Sequence, residues 1–130
     1  MKSLIGKLRR PDVIFRANGH FDITARAARI LDLHAGDVID IISDDCEYFL
    51  CVAIRAKDAA FGRYETRCYP SKHGARHFRG SSAALCRAML DACHTTAPYV
   101  ALPCGEPCHD SANGRTLLPI ITKLPNTPQK

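Results

Sequence analysis

The stretch Ile14–Asp45, IFRANGHFDITARAARILDLHAGDVIDIISDD, constrains the fold more than any other part of the chain. Asn18-Gly19 lies between two short β-prone runs, and an Asn-Gly pair, which tolerates φ > 0, is a strong hairpin signal there. Asp12–Arg16 and His20–Ile23 are therefore expected as the strands of a hairpin. Thr24 stands where a helix N-cap belongs, able to accept from the free N–H groups of a helix covering roughly Ala25 to Leu33. Ala27, Ala28, Ile30 and Leu31 can cover one side of that helix, with Arg26 and Arg29 together on the other. Gly36-Asp37 then turns the chain into Val38–Ser43, whose apolar composition predicts a buried strand.

A similar order begins again further on. Asp44-Asp45 reads as a turn, Tyr48–Arg55 as a strand and Lys57–Gly62 as a linker. Tyr64–Tyr69 is extended, Pro70–Gly74 a loop, and Arg76–Arg79 a second extended run. Ser81-Ser82 offers an N-cap to Ala83–Ala92, a helix with Leu85, Met89 and Leu90 at helical spacing. Tyr99–Leu102 is a short strand and Pro103–Gly114 a turn-rich loop. Thr116–Thr122 is a last strand in which Pro119 favours an edge position or a bulge.

His77-Phe78 echoes His20-Phe21, and each pair precedes a cap, a helix, a polar turn and an apolar strand. Either the ββαββ order recurs by chance, or the chain is a duplication with half-repeats over about 12–56 and 61–124. Duplicated halves would pair about a pseudo-two-fold axis and close into a barrel, which removes exposed sheet edges. The expected organisation is a basic leader over 1–11, one domain over 12–124 and a disordered polar tail over 125–130.

The net charge of +5 favours polyanionic partners. The charge is segregated: 61–79 holds Arg63, Arg67, Lys72, Arg76 and Arg79 against Glu65, while Asp37–Glu47 holds acids and no Lys or Arg. No apolar run approaches the length of a membrane span, and MKSLIGKLRR lacks a signal-peptide apolar region. A cytoplasmic protein with no membrane partner is expected. The seven cysteines then read as reduced thiols, with Cys51, Cys86 and Cys93 as small core residues. Cys104, Cys108 and His109 are the candidates for zinc, but the second ligand pair of a structural site is missing, so neither metal nor cofactor is expected. No nucleophile elbow, phosphate loop or paired-carboxylate signature is present, and no enzymatic activity is expected.

The run Gly19-His20-Phe21-Asp22-Ile23-Thr24, the helix through Arg29, Leu31 and Leu33, and Gly36-Asp37-Val38-Ile39-Asp40-Ile41 resemble the AbrB/MazE/SpoVT family of swapped-hairpin transcription factors. That family's pattern is a Gly-Arg hairpin turn, an alternating strand ending in Ile-Pro, a short Arg-bearing helix and a Gly-Asp turn into an apolar strand. The match runs without gaps over about Gly19 to Asp45. It departs from the pattern at His20, where the family has arginine, at Thr24, where it has proline, and at Ala28, where it has the first of two helix arginines.

The resemblance implies an α+β fold: a mainly-β barrel of swapped-hairpin, cradle-loop type with two short helices. It also implies a regulator that binds double-stranded DNA through arginines on one barrel face. In the family two chains form the barrel. Here the second half can serve as the partner, giving a monomer or, with exchange between chains, a homodimer. The expected contacts are Arg16, His20, Arg26 and Arg29 from the first half and Lys72, Arg76 and Arg79 from the second, as two related basic patches. Arginine suits the task because it grips phosphate bidentately and can read guanine. The alternative is an antitoxin-like protein-interaction module without DNA binding of its own.

Overall fold

Among the described residues two short α-helices and nine strands make this an α+β chain, as expected. A computed structural model describes residues 10–59, 65–72 and 76–122. Most of the basic leader, Arg63, His73 and the polar tail lie outside the described residues.

Strands β1 (Val13–Arg16) and β2 (His20–Ile23) form the first hairpin. Its loop is Ala17-Asn18-Gly19, and the Gly19 N–H donates to the Arg16 carbonyl at 2.9 Å. Gly19 alone takes positive φ in this loop, +93°, while Asn18 Oδ1 accepts from the His20 N–H at 3.0 Å. A turn followed by a left-handed glycine thus replaces a turn in which both residues have positive φ.

Helix α1 (Ala25–Leu31) buries Ala27, Ala28 and Leu31. Thr24 has the extended backbone of an N-cap, but its side chain makes no cap bond. Its N–H bonds the Asp12 carbonyl at 2.9 Å, which prolongs the β1–β2 ladder to the helix. The helix stops before Leu33 because Asp32 turns left-handed at φ 55°, and the Leu33 N–H closes on the Ala28 carbonyl. Helix α2 (Ala83–Ala92) has the cap that α1 lacks: Ser82 Oγ accepts from the Leu85 N–H at 3.1 Å.

The long hairpin of β3 (Val38–Asp44) and β4 (Glu47–Ile54) turns at Asp45-Cys46, with φ of +53° and +68°, one residue later than expected. Only Val38 and Ile39 of β3 are buried; Ile41 and Ile42 are half-buried, so burial fades toward the turn. The remaining strands are β5 (Tyr69–Pro70), β6 (Phe78–Ser81), β7 (Tyr99–Leu102), β8 (Cys108–Asp110) and β9 (Arg115–Ile120). Two local expectations are corrected. Arg76 precedes β6 in a turn with φ +65°, and the expected loop over Pro103–Gly114 contains β8, which pairs with β9.

Two antiparallel sheets form, β5-β6-β2-β1-β7 and β3-β4-β9-β8, in place of the closed barrel expected from the sequence. Among the described residues their backbones are bridged at two corners. At one, Val38 bridges Arg67, with the Cys68 N–H on the Asp37 carbonyl at 2.8 Å. At the other, Cys104 bridges Ile120, with the Gly105 N–H on the Pro119 carbonyl at 2.8 Å. At the second corner local chemistry keeps the bridge from becoming a full ladder, because Pro103 and Pro119 have no N–H to donate. Pro119 is moreover not on an edge: β9 lies between β4 and β8, with Phe49 opposite the proline.

The core packs Val13, Phe15, Phe21 and Ile23 from the first sheet with Ile39, Leu50 and Leu118 from the second, and Met89 from α2. Full burial of a side chain of this size is worth about 1.5–3 kcal/mol. Gly80 lets the Phe21 ring lie over β6, since a Cβ there would sit 2.5 Å from the ring.

Asp37 explains the Gly-Asp turn. Its buried carboxylate accepts from the His34 N–H at 2.9 Å, the Ala56 N–H at 2.8 Å and Arg55 Nη1 at 2.7 Å. Arg55 also donates to the Leu31 and Asp32 carbonyls, which the end of α1 leaves without helical partners. Burial pushes the Asp37 carboxyl up, but the bonds from Ala56, His34 and Arg55 outweigh it and hold it below its ordinary value. Among the described residues no helix is long and apolar enough to cross a membrane.

Candidate nucleic-acid interface

Strand alternation puts Arg16, His20 and Arg79 on the outer face of the five-stranded sheet. Phe15 and Phe21 are buried on the opposite side, and cross-strand partners share a face. Between the arginines lies Asp22, paired in register with Arg79. Arg16 Nη1 is 2.7 Å from Asp22 Oδ2, Arg79 Nε is 2.7 Å from Oδ1, and Arg79 Nη2 donates to Oδ2 at 3.3 Å. Burial pushes the Asp22 carboxyl up, but the hydrogen bonds and charges of Arg79 and Arg16 outweigh it and hold it below its ordinary value. One carboxylate therefore fixes two guanidiniums and cancels one of their charges.

A second basic group surrounds α1. Arg26 and Arg29 are exposed on that helix, as its apolar spacing requires. Arg26 Nη1 donates at 3.0 Å to Asp12 Oδ2, which also accepts the Cys104 N–H at 2.8 Å. The Asp12 side chain is only 5% exposed, so Arg26 balances a buried charge as well as facing solvent. Arg10, Arg26 and His77 line one cleft beside it.

Arg29 and Arg76 line another cleft, of about 450 Å³, floored by Ala28, Leu33, Pro70 and Phe78. Among the described residues neither guanidinium makes an ion pair or side-chain hydrogen bond. Asp32 lies at the rim of this cleft, 80% exposed and 3.4 Å from His34 Nε2. The left-handed backbone at Arg76, uncommon for a residue with a Cβ, belongs to the turn that brings this second-half arginine to α1 of the first half.

The seven expected contact residues are thus regrouped. Arg16, His20 and Arg79 share the sheet face, Arg26, Arg29 and Arg76 surround α1, and Lys72 is exposed on the turn after β5, outside both clefts. Each basic group mixes the two halves, whereas the sequence suggested one patch per half. Sequence reasoning missed Asp22 and Asp12 as arginine partners, and Arg10 and His77 as cleft residues. Asp22 was within reach of the alternation rule, since it lies two residues from His20. Asp12 was not, because its partners are brought together only by the fold.

The thiols are mostly interior. Burial pushes Cys68 up to about 12, with the Asp37 charge adding in the same direction, and it also raises Cys51, Cys86 and Cys93. Such thiols stay protonated at neutral pH and are poor nucleophiles. Cys104 is buried, whereas Cys108 and His109 are exposed on β8, and among the described residues no three His, Cys, Asp or Glu side chains converge on a common point. Comparison with protein-family models, curated proteins and solved structures finds no match.

Proposed function

We propose that this chain is a cytoplasmic DNA-binding regulator that grips duplex phosphates with the arginines around α1. The observation that carries the reading is the cleft lined by both Arg29 and Arg76, whose guanidiniums have no carboxylate partner among the described residues. Arg10 and Arg26, around the adjoining cleft, extend the positive surface. Guanidiniums with all their donors available suit phosphate, which accepts bidentate hydrogen bonds.

The same reading takes the chain as a duplicated, swapped-hairpin architecture, and the element order and strand pairings support it. Each half runs from a four-residue strand through one cap residue into a helix: β2, Thr24 and α1, then β6, Ser82 and α2. β2 and β6 are antiparallel neighbours, with Phe21 and Phe78 both buried. The halves also exchange strands. β7 pairs with β1, while the start of β3 bridges Arg67, just before β5. On this reading one chain would supply both members of the family's dimer and act as a monomer.

A salt titration of duplex binding tests the function. With Z phosphates neutralised, log K should fall with log salt at a slope of roughly −0.9Z. Arg29→Glu with Arg76→Glu should lower duplex affinity by roughly 100-fold or more at low salt, with an unchanged melting temperature. Arg26 and Arg79 are unsuitable for charge reversal, because each would leave an aspartate facing a new glutamate. No measurable binding of mixed-sequence duplex at low salt overturns the reading.

A further inference from the structure

The outer face of the five-stranded sheet carries aromatic side chains as well as charge. In register, Tyr69 lies opposite Arg79, Arg79 opposite Asp22, and Tyr99 opposite Arg16. Tyr69 and Tyr99, 53% and 55% exposed, are the exposed large apolar side chains among the described residues. They stand on the two outermost strands, β5 and β7, so four strand spacings put those strands about 19 Å apart, and Tyr99 is offset by two residues along the strand direction. A diagonal across the face passes Tyr69, Arg79, Arg16 and Tyr99.

Asp22 holds both guanidiniums in place but leaves most of their donors open. Arg79 uses Nε and Nη2 on Asp22, and Arg16 uses Nη1. A guanidinium carries five N–H donors, so each arginine can bind a second oxygen anion without releasing the first. Two positive charges against one negative leave the trio cationic, with an aromatic ring beside each arginine.

We propose that this face binds single-stranded nucleic acid, with bases stacked on Tyr69 and Tyr99 and phosphates held by Arg16 and Arg79. A ring lying open on a sheet offers a surface to an unstacked base, whereas the faces of a duplex base are covered by its neighbours. A pair of cationic groups flanked by an aromatic ring on each side suits a strand segment whose end bases stack while the phosphates between them meet the arginines. The inference does not rest on duplex binding around α1, because it uses different residues and a different form of nucleic acid.

The test is fluorescence anisotropy of labelled 12-mer oligo-dT and oligo-U on the full chain at low salt, with a mixed-sequence duplex in parallel. Stacking contributes about 1–3 kcal/mol per base, so Tyr69→Ala and Tyr99→Ala should each weaken single-strand binding by roughly 5- to 150-fold. Tyr69→Phe and Tyr99→Phe should retain affinity, because the ring is what stacks. Any duplex affinity should be unchanged in all four variants and should instead respond to Arg29 and Arg76. The DNA and RNA arms show whether the 2′-hydroxyl matters. The chain has no tryptophan, so quenching of tyrosine emission on binding gives a second readout, reduced in each Tyr→Ala variant. Absence of binding to both oligonucleotides overturns the proposal. So does a Tyr69→Ala/Tyr99→Ala double variant that is folded by circular dichroism and binds within about twofold of the parent.

Discussion

Arg16 and Arg79 on the sheet, and Arg29 and Arg76 beside α1, are the same chemical group in two different electrostatic settings. The sheet pair shares Asp22, with both close contacts at 2.7 Å, and Arg79 is raised above its ordinary value by its bond to that carboxylate. The α1 pair borders a cleft with an apolar floor, and among the described residues neither guanidinium is paired. A shared carboxylate gives orientation at the expense of net charge. An unpaired guanidinium keeps its full charge and full side-chain freedom, and it orders only when a ligand arrives. The first arrangement suits a fixed platform and the second a long-range phosphate contact.

The largest effect that could break this contrast is on duplex binding. Arg29→Ala with Arg76→Ala should reduce the magnitude of the log K against log salt slope by roughly 1.8, for two phosphate contacts at 0.9 each. Arg16→Ala with Arg79→Ala should change the slope by less than half as much, since Asp22 already offsets one of those charges. Equal changes from the two pairs would erase the distinction.

Next in size is the inner side of the same sheet. Gly80→Ala would place a Cβ 2.5 Å from the Phe21 ring and 3.1 Å from the Arg67 carbonyl. Overpacking of this kind costs about 1–3 kcal/mol, measurable as a lower urea midpoint. A neutral result would mean that the sheet adjusts readily, and that Asp22 does not work on a rigid frame.

The smallest effect concerns pH. Because the folded Asp22 carboxyl is held low, its contribution is fully present above the ordinary value of 3.8 and is lost as pH falls through the folded value. Asp22→Asn should therefore cost about 1 kcal/mol or less near pH 7 and flatten the decline in stability below about pH 4. The arginines are partly exposed, which keeps the value small. An acid profile unchanged by Asp22→Asn would remove the carboxylate from its role in holding the pair.

Local pattern was sufficient for β2, α2 and β7, whose observed bounds match those read from alternation, capping and helical spacing. It was insufficient where contacts distant in sequence decide. Thr24 is a good cap residue by type, yet its side chain makes no cap bond, whereas Ser82 caps α2, although the N–H of each joins a backbone partner distant in sequence. β8 becomes a strand because Cys108, His109 and Asp110 meet Leu117, Thr116 and Arg115 across a turn. The candidate site divides in the same way: the chain supplies the arginines, while their partners come from elsewhere in the fold.

By itself, the sequence determined a mixed α+β chain with a hairpin at Asn18-Gly19, a Gly36-Asp37 turn and a surplus of arginine. These follow from backbone preferences, side-chain alternation and composition, all of which act over a few residues. Only the tertiary structure decided which arginines are held and which are open. Ion pairing depends on distances of a few ångströms, and Asp22 meets Arg79 across 57 residues of chain because β2 and β6 lie side by side. The same long-range pairing set Arg29 beside Arg76, and with it the surface on which the proposed function rests.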